Sequence, residues 1–131
     1  DKGIVQNNCR PFPGVLEKLK SILHLNDKDY SLVDFNNVLE SDGSYIIGAC
    51  QLLRRVVLEK VGYLDERIFY GPEDADICNR TPRAGYCMKY LSGVSIVHYY
   101  ARITKNRPYS RLAFNHLKAL IYFYHKYSRW V

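Results

Sequence analysis

The sequence has 131 residues, of which 47% are apolar and 24% are charged, a composition typical of one compact globular domain. No apolar run reaches the roughly 18 to 20 residues that a membrane-spanning helix needs, and the first residues lack the layout of a signal peptide. A domain of this size buries about two thirds of its unfolded surface, which leaves no room for separate cofactor and substrate domains.

The formal net charge of +6 is unevenly distributed along the chain. Residues 1–97 hold twelve basic and thirteen acidic side chains, whereas residues 98–131 hold seven basic and no acidic ones. This asymmetry indicates either that the tail meets an anionic partner, such as a phosphate group, acidic lipid or nucleic acid, or that it is a solvated basic helix face.

The four cysteines form no C-x-x-C pair and do not have the spacing of a zinc site. We interpret them as reduced thiols of an intracellular protein, although their even number also permits disulfides.

The first third of the sequence predicts little regular structure. Pro11 and Pro13 favour an extended or turned start, and the apolar spacing over Val15–Leu25 predicts a short amphipathic helix. The segment Tyr30–Leu39 is compatible with either a strand or a loop.

A strand and a short helix are predicted next. Tyr45–Leu53 is mostly apolar with Gly48 inside it, and Arg54–Val61 predicts a helix that Gly62 ends. A glycine within a strand marks either a bulge or a place where a ligand approaches the backbone closely.

A second helix is predicted at Gly71-Pro-Glu-Asp74, where a loop enters the helix. Glu73 and Asp74 fall in its first turn, where the helix dipole favours carboxylates. Pro82 is expected to interrupt and kink this helix, and Gly85 to end it.

Two short strands and a long helix complete the predicted elements. The strands are Cys87–Leu91 and Val94–Tyr99, and the helix is Tyr109–Tyr127. Its polar side is predicted to contain Arg111, Asn115, Lys118, Tyr122, His125 and Arg129. The opposite, apolar side is predicted to contain Ala113, Leu117, Leu120, Ile121 and Tyr124.

Five short motifs follow one another between residues 43 and 98. They are Gly48-Ala-Cys-Gln-Leu-Leu-Arg-Arg55, Val61-Gly-Tyr-Leu-Asp-Glu-Arg67, Gly71-Pro-Glu-Asp-Ala-Asp-Ile-Cys78, Arg83-Ala-Gly-Tyr86 and Val94-Ser-Ile-Val-His98. In this order they resemble the C-terminal half of family 2 glycosyltransferases of the GT-A fold, especially rhamnosyltransferase-like enzymes of bacterial surface polysaccharide synthesis. The resemblance implies an α/β fold class: an α+β fragment with a short mixed sheet flanked by helices and a long C-terminal amphipathic helix.

The resemblance also implies roles for individual residues. Asp74 matches the catalytic base, which takes the proton of the acceptor hydroxyl as it attacks the anomeric carbon with inversion. Repulsion among Asp74, Glu73 and Asp76 is expected to raise at least one pKa, and Glu73 is expected to orient the acceptor or hold the loop. The expected acceptor-binding residues are Glu73, Gly48, Ala49 and Tyr70. The alternative is that these carboxylates only occupy a helix N-terminus.

Donor and metal contacts are implied more weakly. A histidine at the place of His98 can bind a divalent ion, Mg or Mn, beside the carboxylates of an upstream Asp-x-Asp motif, although a histidine at a strand end can equally be a polar boundary residue. Arg102 and Arg107 are candidates to pair with the donor diphosphate.

Most of the donor site is not found in the sequence. Asp27-Lys-Asp29 fits the Asp-x-Asp pattern, but it follows a predicted helix and lies too close to Asp74 for the family layout. We therefore expect one domain over residues 1–131, the acceptor-side half of a transferase, which is inactive in isolation. Within it lie an irregular segment (1–42), an acceptor and base core (43–100) and a basic aromatic tail (101–131). A truncated chain and a natural short protein both remain open.

The expected partners follow from this interpretation. They are a nucleotide-sugar donor and a saccharide or lipid-linked acceptor, with peripheral membrane contact through residues 109–130 and a cytoplasmic location at the inner face of the membrane. The aromatic side of the tail could instead cover the missing half or a second copy in a homo-oligomer. The alternative function is a noncatalytic binding module for an anionic membrane surface or nucleic acid. Nucleic acid is disfavoured because the sequence resembles no helix-turn-helix, RNA-recognition sheet or zinc finger.

Overall fold

The computed structural model describes residues 8–12, 14–15, 44–89, 91, 94–99, 107 and 109–127. These residues form an antiparallel pair of short strands and three helices, which confirms the predicted α+β fold class. The elements in chain order are β1 (Cys9–Pro11), β2 (Ser44–Ile46), α1 (Arg55–Val61), α2 (Glu73–Arg83) and α3 (Arg111–Tyr127). The helix predicted over Val15–Leu25 lies outside the described residues apart from Val15, and the segment Tyr30–Leu39 lies wholly outside them.

β1 and β2 pair with Cys9 opposite Ile46. The strand predicted over Tyr45–Leu53 is therefore much shorter than expected. Beyond Ile46 the chain turns at Gly48, and the Gly48 N–H donates to a side chain of α2 instead of to a neighbouring strand. The Gly48 N–H, which could have extended the sheet, thus joins the end of β2 to α2 instead.

α1 agrees with its prediction to within one residue. Gly62 ends it with a φ of 88°, in the left-handed region that glycine adopts without steric cost. The Gly62 N–H donates to the carbonyl oxygen of Leu58 at 2.8 Å, which closes the last turn.

α2 contradicts the prediction that Pro82 interrupts it, because the helix continues to Arg83. Proline lacks the N–H that would reach the carbonyl four residues earlier, and in the last turn this loses only one bond. The Ala84 N–H donates to the carbonyl of Arg80 at 3.3 Å, and Gly85 follows with a φ of 82°, so the predicted end is confirmed.

Neither strand predicted after α2 forms among the described residues. Within Cys87–Leu91 and Val94–Tyr99, Met88 makes an isolated bridge, and the other described positions have no regular structure. The side chains of Val94 and Val97 are exposed. A strand needs a neighbour for its N–H and C=O groups, and among the described residues of these two segments only Met88 forms a bridge to one.

α3 begins two residues later than predicted, and its buried face differs from the predicted one. The buried residues are Ala119, Leu120, Phe123 and Tyr124. Leu117 and Ile121, predicted to face the core, are 47% and 52% exposed, whereas Tyr122 from the predicted polar side is half-buried. Apolar residues occur on both sides of this helix, so periodicity alone does not select the face that packs.

Two hydrophobic clusters lie on either side of α2. The first joins Ala75 of α2 to the buried face of α3, and the second contains Ile77, Cys78 and Met88. Tyr45 packs against both clusters. α2 is therefore packed on two sides, which fixes the direction of the side chains in its first turn.

The cysteines do not form disulfides among the described residues. All four are free thiols, with Cys9 and Cys78 buried and Cys50 and Cys87 exposed. Burial raises the pKa of the Cys78 thiol to about 11.

None of the helices in the described part of the chain has both the length and the apolar character needed to cross a membrane. The longest, α3, has 17 residues.

Candidate functional site

Asp74 lies in the first turn of α2 and faces the turn that follows β2. Its Oδ2 accepts a hydrogen bond from the Gly48 N–H at 2.9 Å, and its Oδ1 accepts one from the Ala75 N–H at 2.7 Å. Burial raises the pKa of Asp74 to about 6, and the Glu73 carboxylate adds to this, while the two N–H groups oppose it. A carboxylate with this proton affinity suits a general base that works near neutral pH.

Gly48 leaves space beside the Asp74 carboxylate. Gly48 is exposed, and a Cβ at this position would lie 3.6 Å from the Cβ of Asp74 and 3.8 Å from its Oδ2. No side chain at position 48 therefore covers this side of the Asp74 carboxylate. The structure therefore brings together two of the predicted site residues, and half-buried Ala49 continues the same turn.

Glu73 closes the loop before the helix. Its Oε2 accepts a hydrogen bond from the Gly71 N–H at 2.8 Å. Gly71 has a φ of 141°, a conformation that side-chain-bearing residues rarely adopt. The preceding residue, Tyr70, is half-buried.

His116 of α3 packs on this loop, and sequence analysis did not identify it. Its Nδ1 lies 3.3 Å from the carbonyl oxygen of Tyr70, and its ring meets the Tyr70 ring edge-on with centroids 5.9 Å apart. The same imidazole occupies the space where a Cβ on Gly71 would lie. Gly71 in the sequence could have indicated a close contact at this position, but no neighbouring residue identifies His116 as the one that packs against it.

Substituting Gly71 with alanine is expected to destabilise the fold by about 2 to 5 kcal/mol. The unfavourable φ and the overlap with the His116 ring both contribute, since left-handed strain costs about 1 to 2 kcal/mol and overpacking about 1 to 3 kcal/mol. Gly85→Ala is the matched control, because Gly85 also has a positive φ but a Cβ added there would have no atom within 4 Å. Urea unfolding should show the larger loss for Gly71→Ala; equal losses would contradict the packing role of His116.

The predicted donor and metal residues are described only in part. His98 is half-buried, Arg107 is exposed, and Arg102 lies outside the described residues. Among the residues that the structure describes, no three His, Cys, Asp or Glu side chains lie close enough together to hold a metal ion. The metal role of His98 therefore stays a prediction.

Asp76 was expected to repel Asp74, but it faces the opposite side of α2. It is only 1% exposed, and its Oδ2 accepts a hydrogen bond from Arg80 Nε at 2.9 Å. Its Oδ1 accepts hydrogen bonds from Lys126 Nζ and the Tyr127 hydroxyl, both at 2.7 Å. Burial followed by the bond to Asp76 raises the pKa of Tyr127 to about 12. The raised pKa of Asp74 thus comes mainly from its own burial.

A second carboxylate, Asp65, extends this ion-pair network. It accepts hydrogen bonds from Lys126 at 2.9 Å and from the Tyr122 hydroxyl at 3.0 Å. The Arg67 guanidinium beside Asp65 holds the pKa of that carboxyl well below its usual range. The spacing of Asp76 and Arg80, four residues apart on a helix, was the part of this network that the sequence could have revealed.

Arg80 also joins α2 to the end of α1. Its guanidinium donates to the carbonyl oxygens of Val61, Gly62 and Tyr63, the last two at 2.8 and 2.9 Å. These carbonyls are at the C-terminus of α1, where the last C=O groups of a helix have no N–H donor within the helix.

Comparison with known proteins shows a relationship over 86 residues. Over that length the chain is 34% identical to N-acetylglucosaminyl-diphospho-decaprenol L-rhamnosyltransferase of Mycobacterium tuberculosis, in both strain CDC 1551 / Oshkosh and strain ATCC 25618 / H37Rv. The chain is thus related to a glycosyltransferase. The match covers 66% of this chain, and the chain spans 28% of the length of these curated relatives. Neither a protein-family model nor a solved structure matches it.

Proposed function

We propose that this chain is the acceptor-side part of an inverting glycosyltransferase of the GT-A family 2 type. The reaction transfers a sugar from a nucleotide-activated donor to a saccharide or lipid-linked acceptor in surface polysaccharide synthesis. The observation that carries the proposal is the Asp74 carboxylate, half-buried and held at 2.9 Å from the N–H of exposed Gly48. The relationship to a rhamnosyltransferase supports the class of reaction.

In the proposed reaction Asp74 acts on the acceptor. An acceptor hydroxyl enters beside Gly48 and donates its hydrogen bond to Asp74, which takes the proton as the oxygen attacks the anomeric carbon of the donor. The bond between that carbon and the nucleotide diphosphate breaks on the opposite face, so the configuration inverts. Glu73 holds the loop through Gly71, and the backbone N–H groups of Gly48 and Ala75 keep the Asp74 carboxylate in position.

The pH dependence of transfer tests this proposal. Only ionised Asp74 can accept a proton, so kcat/KM of the complete polypeptide should rise about tenfold per pH unit below the pKa of about 6 and level off above it. The substrates to use first are a nucleotide-activated L-rhamnose and N-acetylglucosaminyl-diphospho-decaprenol, taken from the name of the related enzyme.

A rate that stays flat between about pH 5 and pH 7, or that falls over this range, would contradict the assignment of Asp74 as the base. Exposed Glu66 offers a matched control, because Glu66→Gln should leave the profile unchanged.

A further inference from the structure

The exposed face of α3 combines an apolar stripe with a row of polar, mainly basic side chains. Six side chains of this helix are exposed; they are Arg111, Phe114, Leu117, Lys118, Ile121 and His125. With about 100° between successive residues, Phe114, Leu117 and Ile121 lie side by side along the helix. Arg111, Lys118 and His125 lie next to them on one side, and α3 contains no acidic residue.

The apolar stripe is a surface on the folded chain and is separate from the core. Phe114 is 57% exposed and Ile121 is 52% exposed, although the opposite face of the same helix is buried. Lys118 Nζ lies 4.8 Å above the Phe114 ring, so the cation and the aromatic ring share one site. Tyr109, just before α3, is fully exposed.

We propose that this face of α3 lies on an anionic lipid bilayer. The stripe of Phe114, Leu117 and Ile121 enters the headgroup region, while Arg111 and Lys118 pair with acidic headgroups beside it. The surface depends on neither Asp74 nor the transfer reaction proposed above.

Charge complementarity selects this occupant over a second copy of the chain. A symmetric dimer through this face would bring Arg111 and Lys118 of both copies together, with no acidic residue on α3 to compensate. Residues 98–131 carry seven basic and no acidic side chains, which favours a polyanionic surface. The apolar half of the face favours a bilayer over nucleic acid, because phosphate-dominated binding does not need it.

Co-sedimentation with vesicles tests the proposal. The chain should bind vesicles of phosphatidylcholine with about 30% phosphatidylserine at least tenfold more strongly than phosphatidylcholine alone, and added salt should weaken binding. The double variant Leu117→Gln/Ile121→Gln and the double variant Arg111→Glu/Lys118→Glu should each lower the partition coefficient at least tenfold, as expected at about fivefold per cation and more per apolar side chain.

The matched control residues lie far from α3 in the sequence, just before α1 and within it. Leu52→Gln removes an apolar side chain that is 95% exposed, and Lys60→Glu reverses an exposed cation, so neither should change binding. Circular dichroism should show the same helix content for all variants, since every substituted side chain is exposed.

Three outcomes would overturn the proposal. Equal binding to both kinds of vesicle would exclude recognition of anionic lipid. Vesicle binding that the charge reversal abolishes but Leu117→Gln/Ile121→Gln leaves intact would show that the apolar stripe does not enter the headgroup region and that the face attracts polyanions in general. A dimer in size-exclusion chromatography without vesicles that Leu117→Gln/Ile121→Gln dissociates would assign the face to a second copy.

Discussion

Substituting Asp74 with asparagine is expected to lower sugar transfer by the complete polypeptide about 10²- to 10⁴-fold, the range that a general base contributes. Asparagine has nearly the same shape, and its oxygen can still accept a hydrogen bond from Gly48 or Ala75, but it cannot take the proton of the acceptor hydroxyl. The loss should therefore appear in kcat, with KM for the acceptor changed little. Initial rates with a labelled donor measure it, and a variant within threefold of the wild type would show that Asp74 is not the base.

The free energy of unfolding distinguishes this loss of chemistry from a loss of fold. In the wild type the pKa of Asp74 is raised from 3.8 to about 6, so its contribution to stability is present below the unfolded-state pKa and is lost as pH rises through about 6. The wild type should thus lose about 2 kcal/mol relative to Asp74→Asn between about pH 4.5 and pH 8. The variant should remain folded, so that urea unfolding at the two pH values measures the difference.

A large loss of stability is expected when Asp76 is replaced. Asp76→Ala leaves Arg80 and Lys126 without the buried carboxylate that both contact, and removing one partner of a buried ion pair costs about 3 to 5 kcal/mol. Lys126 keeps its contact with Asp65 and is 24% exposed, which places the expected loss near the lower end, at about 3 kcal/mol. Urea unfolding of the chain at neutral pH measures it.

An exposed ion pair on α1 provides the control for Asp76. Arg55 and Glu59 are 2.8 Å apart with side chains 87% and 52% exposed, so Glu59→Ala should change stability by less than about 0.5 kcal/mol. In a double-mutant cycle, Asp76→Ala with Lys126→Met should show a coupling of about 1 to 3 kcal/mol. Additive losses would mean that the network does not stabilise the fold as a unit.

The local signals in the sequence were sufficient where a single residue determines the backbone. Gly62 and Gly85 end α1 and α2 as predicted, because each adopts a positive φ that other residues avoid. The failures occurred where the outcome depends on a distant neighbour. Tyr45–Leu53 is apolar enough for a long strand, yet the Gly48 N–H donates its hydrogen bond to α2. In α3 there are apolar residues on more than one side, and only one side packs against the core.

The candidate site was predicted in part. The resemblance placed Gly48 and Asp74 in one site, and the structure brings them within hydrogen-bonding distance although 26 residues separate them. It did not reveal His116 or the lysine of α3 that pairs with Asp76, because both lie at least 45 residues from the residues they contact. The sequence alone suggested that the Asp76 and Asp74 carboxylates repel each other. In the structure the two side chains lie on opposite sides of α2.

The guanidinium of Arg80 has a consequence for how the molecule can move. One planar group satisfies three successive carbonyls at the end of α1 while it is paired with Asp76 inside α2. Sliding one helix past the other would break all three of these hydrogen bonds. Relative motion of the two helices would require these contacts to break, so we expect α1 and α2 to move together as one unit.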